Sequence, residues 1–346
     1  MQTSGQVKWE SPSNLAIVKY WGKYGRQLPR NPSISLTLSK AVTRTSLEWQ
    51  AAKSGQGKLL GFTVEGKEVE GFGNRVEKYL DSLRADLPWL NSVDLRADTM
   101  NTFPHSSGIA SSASGMSAMA LCLASVGVAL GELEGNTDEF WRLASHWARL
   151  GSGSAARSVQ GPWMAWGETP VIPGSADEHA VTVHNIHPVF QDMRDAILIV
   201  SRGEKAVSST AGHGLMDSNT HAAQRFQNAN YRLEALLPVL RAGEVNDFIR
   251  LAEAEALELH ALMMTSEPPY ILMQPSSLAV LHAVRRFREE TGTQVGFSLD
   301  AGPNVHLLYP ASAEEAVRAL IDSELKQHCV DGAVLYDQGG SGARQL

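Results

Sequence analysis

Apolar and polar positions change their period repeatedly along the chain, and each change marks an element. Residues 14–20 and 34–45 read as strands, separated by a loop punctuated by Gly22, Gly25, Pro29 and Pro32. Further strand-like segments with glycine turns cover residues 47–69. Over residues 74–83 the period becomes helical, with Val76, Tyr79, Leu80 and Leu83 on one face. Val93, Leu95 and Ala97 alternate with polar residues, as in a half-buried strand. Residues 116–130 are rich in Ala, Leu and Met with almost no polar interruption, which predicts a buried helix. Phe140, Trp141, Ala144 and Trp147 line one face of a helix over residues 138–150, ahead of a strand at 162–166.

A loop rich in Pro, Gly and Asp over residues 168–187 marks a boundary, dividing the chain into residues 1–187 and 188–346. The second part opens with a strand at 196–200, followed by helical patterns over 217–240, 245–263 and 276–291. Short strands at 294–299 and 305–309 flank the turn Asp300-Ala301-Gly302-Pro303-Asn304. A helix at 312–323, a strand at 332–336 and a tail at 339–346, expected to fray, complete the chain. The result is two α+β halves, the second resembling a ferredoxin-like sandwich.

Composition narrows the function. At 346 residues with 43% hydrophobic and 19% charged positions, the chain has ample core for two ordinary domains. A net charge of −7 argues against nucleic acid as a partner. Two cysteines supply neither a disulfide framework nor metal-ligand spacing, which suits a reducing cytoplasm. The first ten residues have no apolar signal, and no stretch is expected to be long and apolar enough to cross a membrane. Within residues 11–47 there is no Asp or Glu, while Lys19, Lys23, Arg26, Arg30, Lys40 and Arg44 are all present. That acid-free basic segment suggests a site for a small anion, against the plainer reading of strands with solvated basic faces.

Phe103-Pro104-His105-Ser106-Ser107-Gly108-Ile109-Ala110-Ser111-Ser112 joins the strand that begins at Val93 to the apolar helix. A strand, a loop of small residues and a helix N-terminus make an anion site, because open N–H groups and the helix dipole face the ligand. It is not a Walker A loop, since the Gly-Lys-Ser/Thr ending is missing. The competing reading is a small-residue turn that lets the helix pack closely. A second Gly/Ser-rich run, Gly151-Ser152-Gly153-Ser154-Ala155-Ala156-Arg157-Ser158, follows the next helix.

Several segments together resemble one family. The Pro104 to Ser112 pattern is similar to the phosphate loop of the GHMP small-molecule kinase superfamily. Asn14-Leu15-Ala16-Ile17-Val18-Lys19-Tyr20-Trp21-Gly22-Lys23 resembles the opening strand of the ATP-dependent mevalonate diphosphate decarboxylases. So do Asn31-Pro32-Ser33-Ile34, the Gly151 run, Ser208-Ser209-Thr210 and Ser298-Leu299-Asp300-Ala301-Gly302-Pro303-Asn304, in the family's order. The resemblance implies a two-domain α+β GHMP kinase fold, with an N-terminal domain like ribosomal protein S5 domain 2 and a ferredoxin-like C-terminal domain. It implies ATP-dependent phosphorylation of a tertiary hydroxyl, then loss of carboxylate and phosphate, with ATP and Mg²⁺ required and a homodimer as the working state. No membrane or nucleic-acid partner is implied.

Site residues carry over by position. Asp300 would face the hydroxyl as base or electrostatic anchor, and Lys23 matches a nearby lysine whose ammonium would favour the ionised carboxylate. Arg157, helped by Asn14, would grip the departing carboxylate with two parallel hydrogen bonds. Tyr20, Trp21, Lys23, Ser152, Gly153, Ser154, Ser208 and Ser209 would line the substrate, and Pro104 to Ser112 the ATP phosphates; no protein metal site is expected. Ser208 also reads as a helix N-cap. His105, Ser106, Ser107, His213 and Pro32 depart from the common family residues at loops that face phosphate or substrate. Rival readings are a kinase that stops at the 3-phosphate, a decarboxylase of the monophosphate, or a non-catalytic S5-like binding protein. A serine hydrolase is disfavoured because Gly151-Ser152-Gly153-Ser154 does not meet the Gly-x-Ser-x-Gly elbow.

Overall fold

The computed structural model describes residues 3–53, 55–103, 109–203 and 207–346. The first half runs β1 (Ser4–Val18), β2 (Lys23–Tyr24), β3 (Leu28–Pro29), β4 (Ser33–Ala51), β5 (Leu59–Val64) and α1 (Phe72–Leu83). It continues with β6 (Val93–Asn101), α2 (Ser111–Leu130), α3 (Asp138–Gly151), β7 (Trp163–Trp166) and β8 (Ala180–Thr182). The second half has α4 (Pro188–Gln191), β9 (Met193–Leu198), α5 (Ser209–Gly214), α6 (Ala222–Ala242), α7 (Val245–Met264) and α8 (Pro275–Thr291). Then come β10 (Gly296–Leu299), β11 (Val305–Pro310), α9 (Glu314–Leu320), β12 (Val334–Gln338) and β13 (Arg344–Gln345).

The first sheet has the order β13-β1-β4-β6-β5, with β7 added to β4 and β8 to β7. β1 and β4 pair antiparallel from Ser4↔Gln50 to Val18↔Ile34, with register shifts at Pro12/Asn14 and Ala16/Val18. A proline cannot donate to the ladder, so the irregularity at Pro12 follows from the sequence. Trp9, Leu47, Leu95 and Ala97 face a core shared with Ala120, Leu121, Leu123 and Trp147. α2 begins at Ser111, earlier than the apolar run predicts, because Ala113 and Ser114 are also buried and Ser114 Oγ meets Thr43 Oγ1 at 2.6 Å. At 20 residues it is long and apolar enough to cross a membrane, which corrects the expectation that no stretch reaches that length. Here its apolar surface is spent on β1, β4 and α3. α3 starts at Thr137, whose hydroxyl accepts from the Phe140 N–H, with Asp138 and Glu139 in the first turn.

The second sheet has the order β10-β11-β9-β12 and forms a core with α7 and α8 through Phe297, Leu307, Ala256 and Val280. Packing, hydrogen bonds and a strand all join the two halves. Leu15, Ile17 and Val18 of β1 pack against Leu233 and Leu236 of α6 and Phe248 of α7. The Asp337 carboxylate on β12 accepts the N–H groups of Ser39, Lys40 and Ala41 on β4 at 2.9, 2.9 and 2.7 Å. The C-terminus returns to the first sheet: Trp9↔Gln345 and Glu10↔Arg344 pair, and Arg344 Nε donates to Glu10 Oε1 at 2.7 Å. The tail therefore ends in a strand and not in a frayed end, and β13 joins the first sheet although it follows the boundary at residue 187. Its backbone finds a ladder on the edge of β1 that local sequence does not reveal.

Candidate active site

A cavity of about 830 Å³ opens along the junction of the two halves. Asn14, Tyr20, Trp21, Lys23, Ser152, Gly153, Ser154, Arg157, Ser208, Ser209 and Asp300 all line it, with Ala110, Ser111 and Ser112. Ile109 is instead buried behind the wall among Leu38, Phe103 and Ile197, its carbonyl accepting from Ser13 Oγ at 2.5 Å. Pro104, His105, Ser106, Ser107 and Gly108 lie outside the described residues.

The lysine that touches Asp300 is Lys19. Its Nζ donates to Asp300 Oδ1 at 2.8 Å and to Ser298 Oγ at 2.9 Å, and the residue is 2% exposed. Lys23, expected beside Asp300, donates to Gln27 Oε1 at 2.9 Å, and burial lowers the pKa of its ammonium. Lys19 leaves the end of β1 directly, whereas Lys23 sits beyond it, in the β2–β3 hairpin. Four residues of chain are enough to change its partner. Below Asp300, His260 Nε2 donates to the Asp300 carbonyl at 3.1 Å, and burial takes the His260 imidazole down to about 4. His260 is thus a neutral support under the turn.

Arg157 is 2% exposed, and its guanidinium lies over the Trp166 ring, 5.7 Å from the centroid. Nη1 bonds Ser33 Oγ, but Nε has no hydrogen-bond partner, and among the described residues no carboxylate forms an ion pair with it. Burial pulls its pKa down to about 10, partly opposed by the charge of Asp300. A buried cation without a counter-ion is expensive, and a bound carboxylate removes the expense. Asn14 Nδ2 is committed to Ser154 O at 3.1 Å and Ser158 Oγ at 2.7 Å, so it braces the Gly/Ser run next to Arg157. Gly153 is required there: a Cβ would stand 2.9 Å from Tyr20 and 3.0 Å from Trp166.

The two Gly/Ser-rich runs meet across the cavity, with Ser112 Oγ 3.3 Å from Ser152 Oγ. Ala110 holds φ 44° and ψ 43°, a left-handed conformation that turns the chain into α2, and among the described residues no side chain caps that helix. Ser208 caps α5 by accepting from Ala211 N at 3.2 Å, while Ser209 and Thr210 face the cavity. His213 stacks between Tyr20 and Trp21, at 4.3 and 4.6 Å between ring centroids. Its Nδ1 accepts the Gly22 N–H at 2.9 Å, which assigns the proton to Nε2 on a residue that lines the cavity. Burial first, then Lys23 and Arg157, drive its pKa down to about 3, so it is a neutral donor. Among the described residues no group of three or more His, Cys, Asp or Glu converges to hold a metal.

Comparison with known proteins decides the family. A family model described as the diphosphomevalonate decarboxylase-like N-terminal domain matches residues 11–177, and the mevalonate 5-diphosphate decarboxylase C-terminal domain matches residues 196–338. The diphosphomevalonate decarboxylase of Eremothecium gossypii is 33% identical over 328 residues, covering 88% of this chain and 77% of that protein. The chain belongs to the diphosphomevalonate decarboxylase family. Solved structures agree over the whole length. MDDEF in complex with MVAPP, AMPPCP and magnesium aligns at TM-score 0.83 with 26% identity over 99% of both chains. The mevalonate diphosphate decarboxylase of Staphylococcus aureus aligns at TM-score 0.83 with 25% identity over 99% of this chain and 98% of that one. This diphosphomevalonate decarboxylase family member therefore has the two-domain α+β fold of the GHMP kinases.

Sequence reading of this family member did not assign Lys19 as the partner of Asp300, gave no role to Ser298, His260 or Glu255 although each stands in a segment similar to the family (Ser298 to Asn304, Glu253 to Tyr270), and did not single out Arg225. Lys19 was visible within the basic segment, where Lys23 also stood. Arg225 carried only a helical charge pattern, the ordinary mark of a solvated face. The cavity also continues past α2 into an apolar part lined by Phe62, Phe72, Val76, Tyr79, Met116 and Met119. No motif announced that part, because its residues come from separate elements.

Proposed function

We propose that the protein converts mevalonate 5-diphosphate to isopentenyl diphosphate, consuming ATP and releasing ADP, phosphate and CO₂. The observation that carries this reading is the buried Arg157 guanidinium, without a carboxylate partner among the described residues, in the same cavity as the Lys19–Asp300 pair. One group waits for a carboxylate and the other for a hydroxyl. A relative, MDDEF, is solved with MVAPP, AMPPCP and magnesium in place.

The uncapped α2 N-terminus with Ser111 and Ser112 fits the phosphates of a nucleotide carrying Mg²⁺, since hydroxyls and open N–H groups suit both. Magnesium when bound supplies charge neutralisation of those phosphates. Asp300 accepts the hydrogen bond of the tertiary hydroxyl, and Lys19 holds its carboxylate in place. Transfer of the γ-phosphoryl group of ATP to that oxygen breaks its bond to the β-phosphate, ADP leaves, the hydroxyl proton passes to the Asp300 carboxylate, and the hydroxyl becomes a leaving group. Arg157 then keeps the substrate carboxylate oriented while the C–O bond to phosphate and the C–C bond to CO₂ break, the pair of electrons from the latter forming the alkene. The Gly151 run, Tyr20, Lys23 and His213 hold the substrate's own phosphates. We also propose a cytoplasmic enzyme working as a homodimer; sedimentation reads the oligomeric state and fractionation reads the location.

The test is product analysis after incubation with ATP, Mg²⁺ and mevalonate 5-diphosphate. ADP with isopentenyl diphosphate is expected. ADP with an intact phosphorylated acid identifies the 3-kinase, turnover of the monophosphate alone identifies its decarboxylase, and no ATP turnover with any mevalonate phosphate defeats all three. Asp300→Asn is expected to lower kcat by about 10³-fold with substrate binding retained. Near-normal turnover in that variant overturns the assigned role.

A further inference from the structure

We propose that Glu255 and Arg225 are positioning residues for this reaction: they grip the backbone of Lys19 and thereby aim its ammonium at Asp300. The proposal rests on the function given above. β1 pairs with β4 only as far as Val18↔Ile34, so Lys19 is the first residue beyond the ladder. Its peptide groups are buried and need partners that no strand provides. The N–H donates to Glu255 Oε1 at 2.7 Å, and the carbonyl accepts from Arg225 Nη2 at 3.0 Å and from Asn31 Nδ2 at 3.0 Å. Arg225 on α6 and Glu255 on α7 are bonded to each other, and both side chains are 0% exposed. Arg232 reaches the second Glu255 oxygen, and Glu258 bonds both arginines, so two cations and two anions close on each other.

A buried ion pair is poor evidence of a stability device, since well-packed apolar residues often replace one at no loss. α6 and α7 already have such packing through Leu233, Leu236, Phe248 and Ala252. What apolar residues could not supply is an acceptor for the Lys19 N–H and a charged donor for its C=O, groups of two consecutive peptide units. Burial alone would push the Glu255 carboxyl up, but Arg225, Arg232 and the Lys19 N–H hold it below the usual range, so it stays an acceptor. Lys19 follows β1 in the first half, whereas Asp300, Ser298, Glu255 and Arg225 all belong to the second half. The clamp therefore fixes a catalytic contact that crosses the junction.

Three variants test this: the apolar pair Arg225→Met/Glu255→Leu, Glu255→Gln, and Glu258→Gln. Glu258→Gln loosens the same arginines and Asn228 but touches no atom of Lys19. The apolar pair is expected to lose about ten- to a hundredfold in kcat with KM for both substrates within about threefold, since sub-ångström misplacement acts on the chemical step. Glu258→Gln is expected to stay within about threefold of the parent in both constants. If the apolar pair does not fold, Glu255→Gln reads the same split. Unchanged kcat, an equal loss in Glu258→Gln, a KM that rises in step with the loss, or failure of both Glu255 variants to fold overturns the proposal. Absent turnover in the parent chain counts against the function and not against the clamp, because the parent is assayed first.

Discussion

His213 owes its chemistry to where it is buried. The ring is pinned by the Gly22 N–H on Nδ1 and sandwiched by Tyr20 and Trp21, facing the cations Lys23 and Arg157. Its pKa falls from the ordinary 6.5 to about 3. The unfolded chain therefore takes up a proton below pH 6.5 that the folded protein refuses until about pH 3, and stability from this residue is lost as pH drops through that window. His260, lowered to about 4, acts with the same sign. His213→Met should flatten part of the acid loss, so its urea midpoint should fall less between pH 7 and pH 5 than the parent's. Losing the Nε2–H donor should also raise the substrate KM about tenfold, the size of one hydrogen bond to a charged group. An unchanged pH slope would contradict the neutral imidazole. His306 has the opposite sign: burial opposes its charge, but the Asp195 carboxylate at 2.8 Å outweighs that and raises its pKa.

At the scale of elements, the turn into α2 stands out. Ser111 and Ser112 are poor helix formers, and Ala110 occupies the left-handed region where a side chain is disfavoured. The apolar run predicted the helix body, but its first turn exists because Ala113 and Ser114 are buried against the sheet. Local propensity could not show that. Ala110→Gly relieves the strained φ and should stabilise the protein by about 0.5–1 kcal/mol in urea unfolding. A loss of stability would contradict the left-handed conformation. β1 and β4 show the same limit. Each runs longer than its apolar alternation suggested, because two edges pair over most of their length whatever their composition.

The whole molecule is a junction that holds a site, and its ties are polar as well as apolar. Asp337 supports one of them by accepting three consecutive N–H groups of β4 from a strand of the other sheet. Asp337→Ala leaves those donors without their carboxylate and should cost about 2–4 kcal/mol of stability by urea unfolding. A change within about 0.5 kcal/mol would mean that water replaces the carboxylate without loss. The junction matters for catalysis because Lys19, Arg157 and the α2 N-terminus come from one half while Asp300 and His213 come from the other.

By itself the sequence determined the order of motifs, the α+β character of the chain and many of the residues that line the cavity, because period, turn chemistry and small-residue runs are properties of neighbouring positions. Tertiary structure alone decided that Lys19 and not Lys23 meets Asp300, a contact spanning 281 positions of chain. It alone decided that Arg157 has no carboxylate partner among the described residues, and that the last residues add a strand to the first sheet. Two lysines four positions apart look alike in a sequence. The end of a ladder and the groups that satisfy its last peptide unit set them apart.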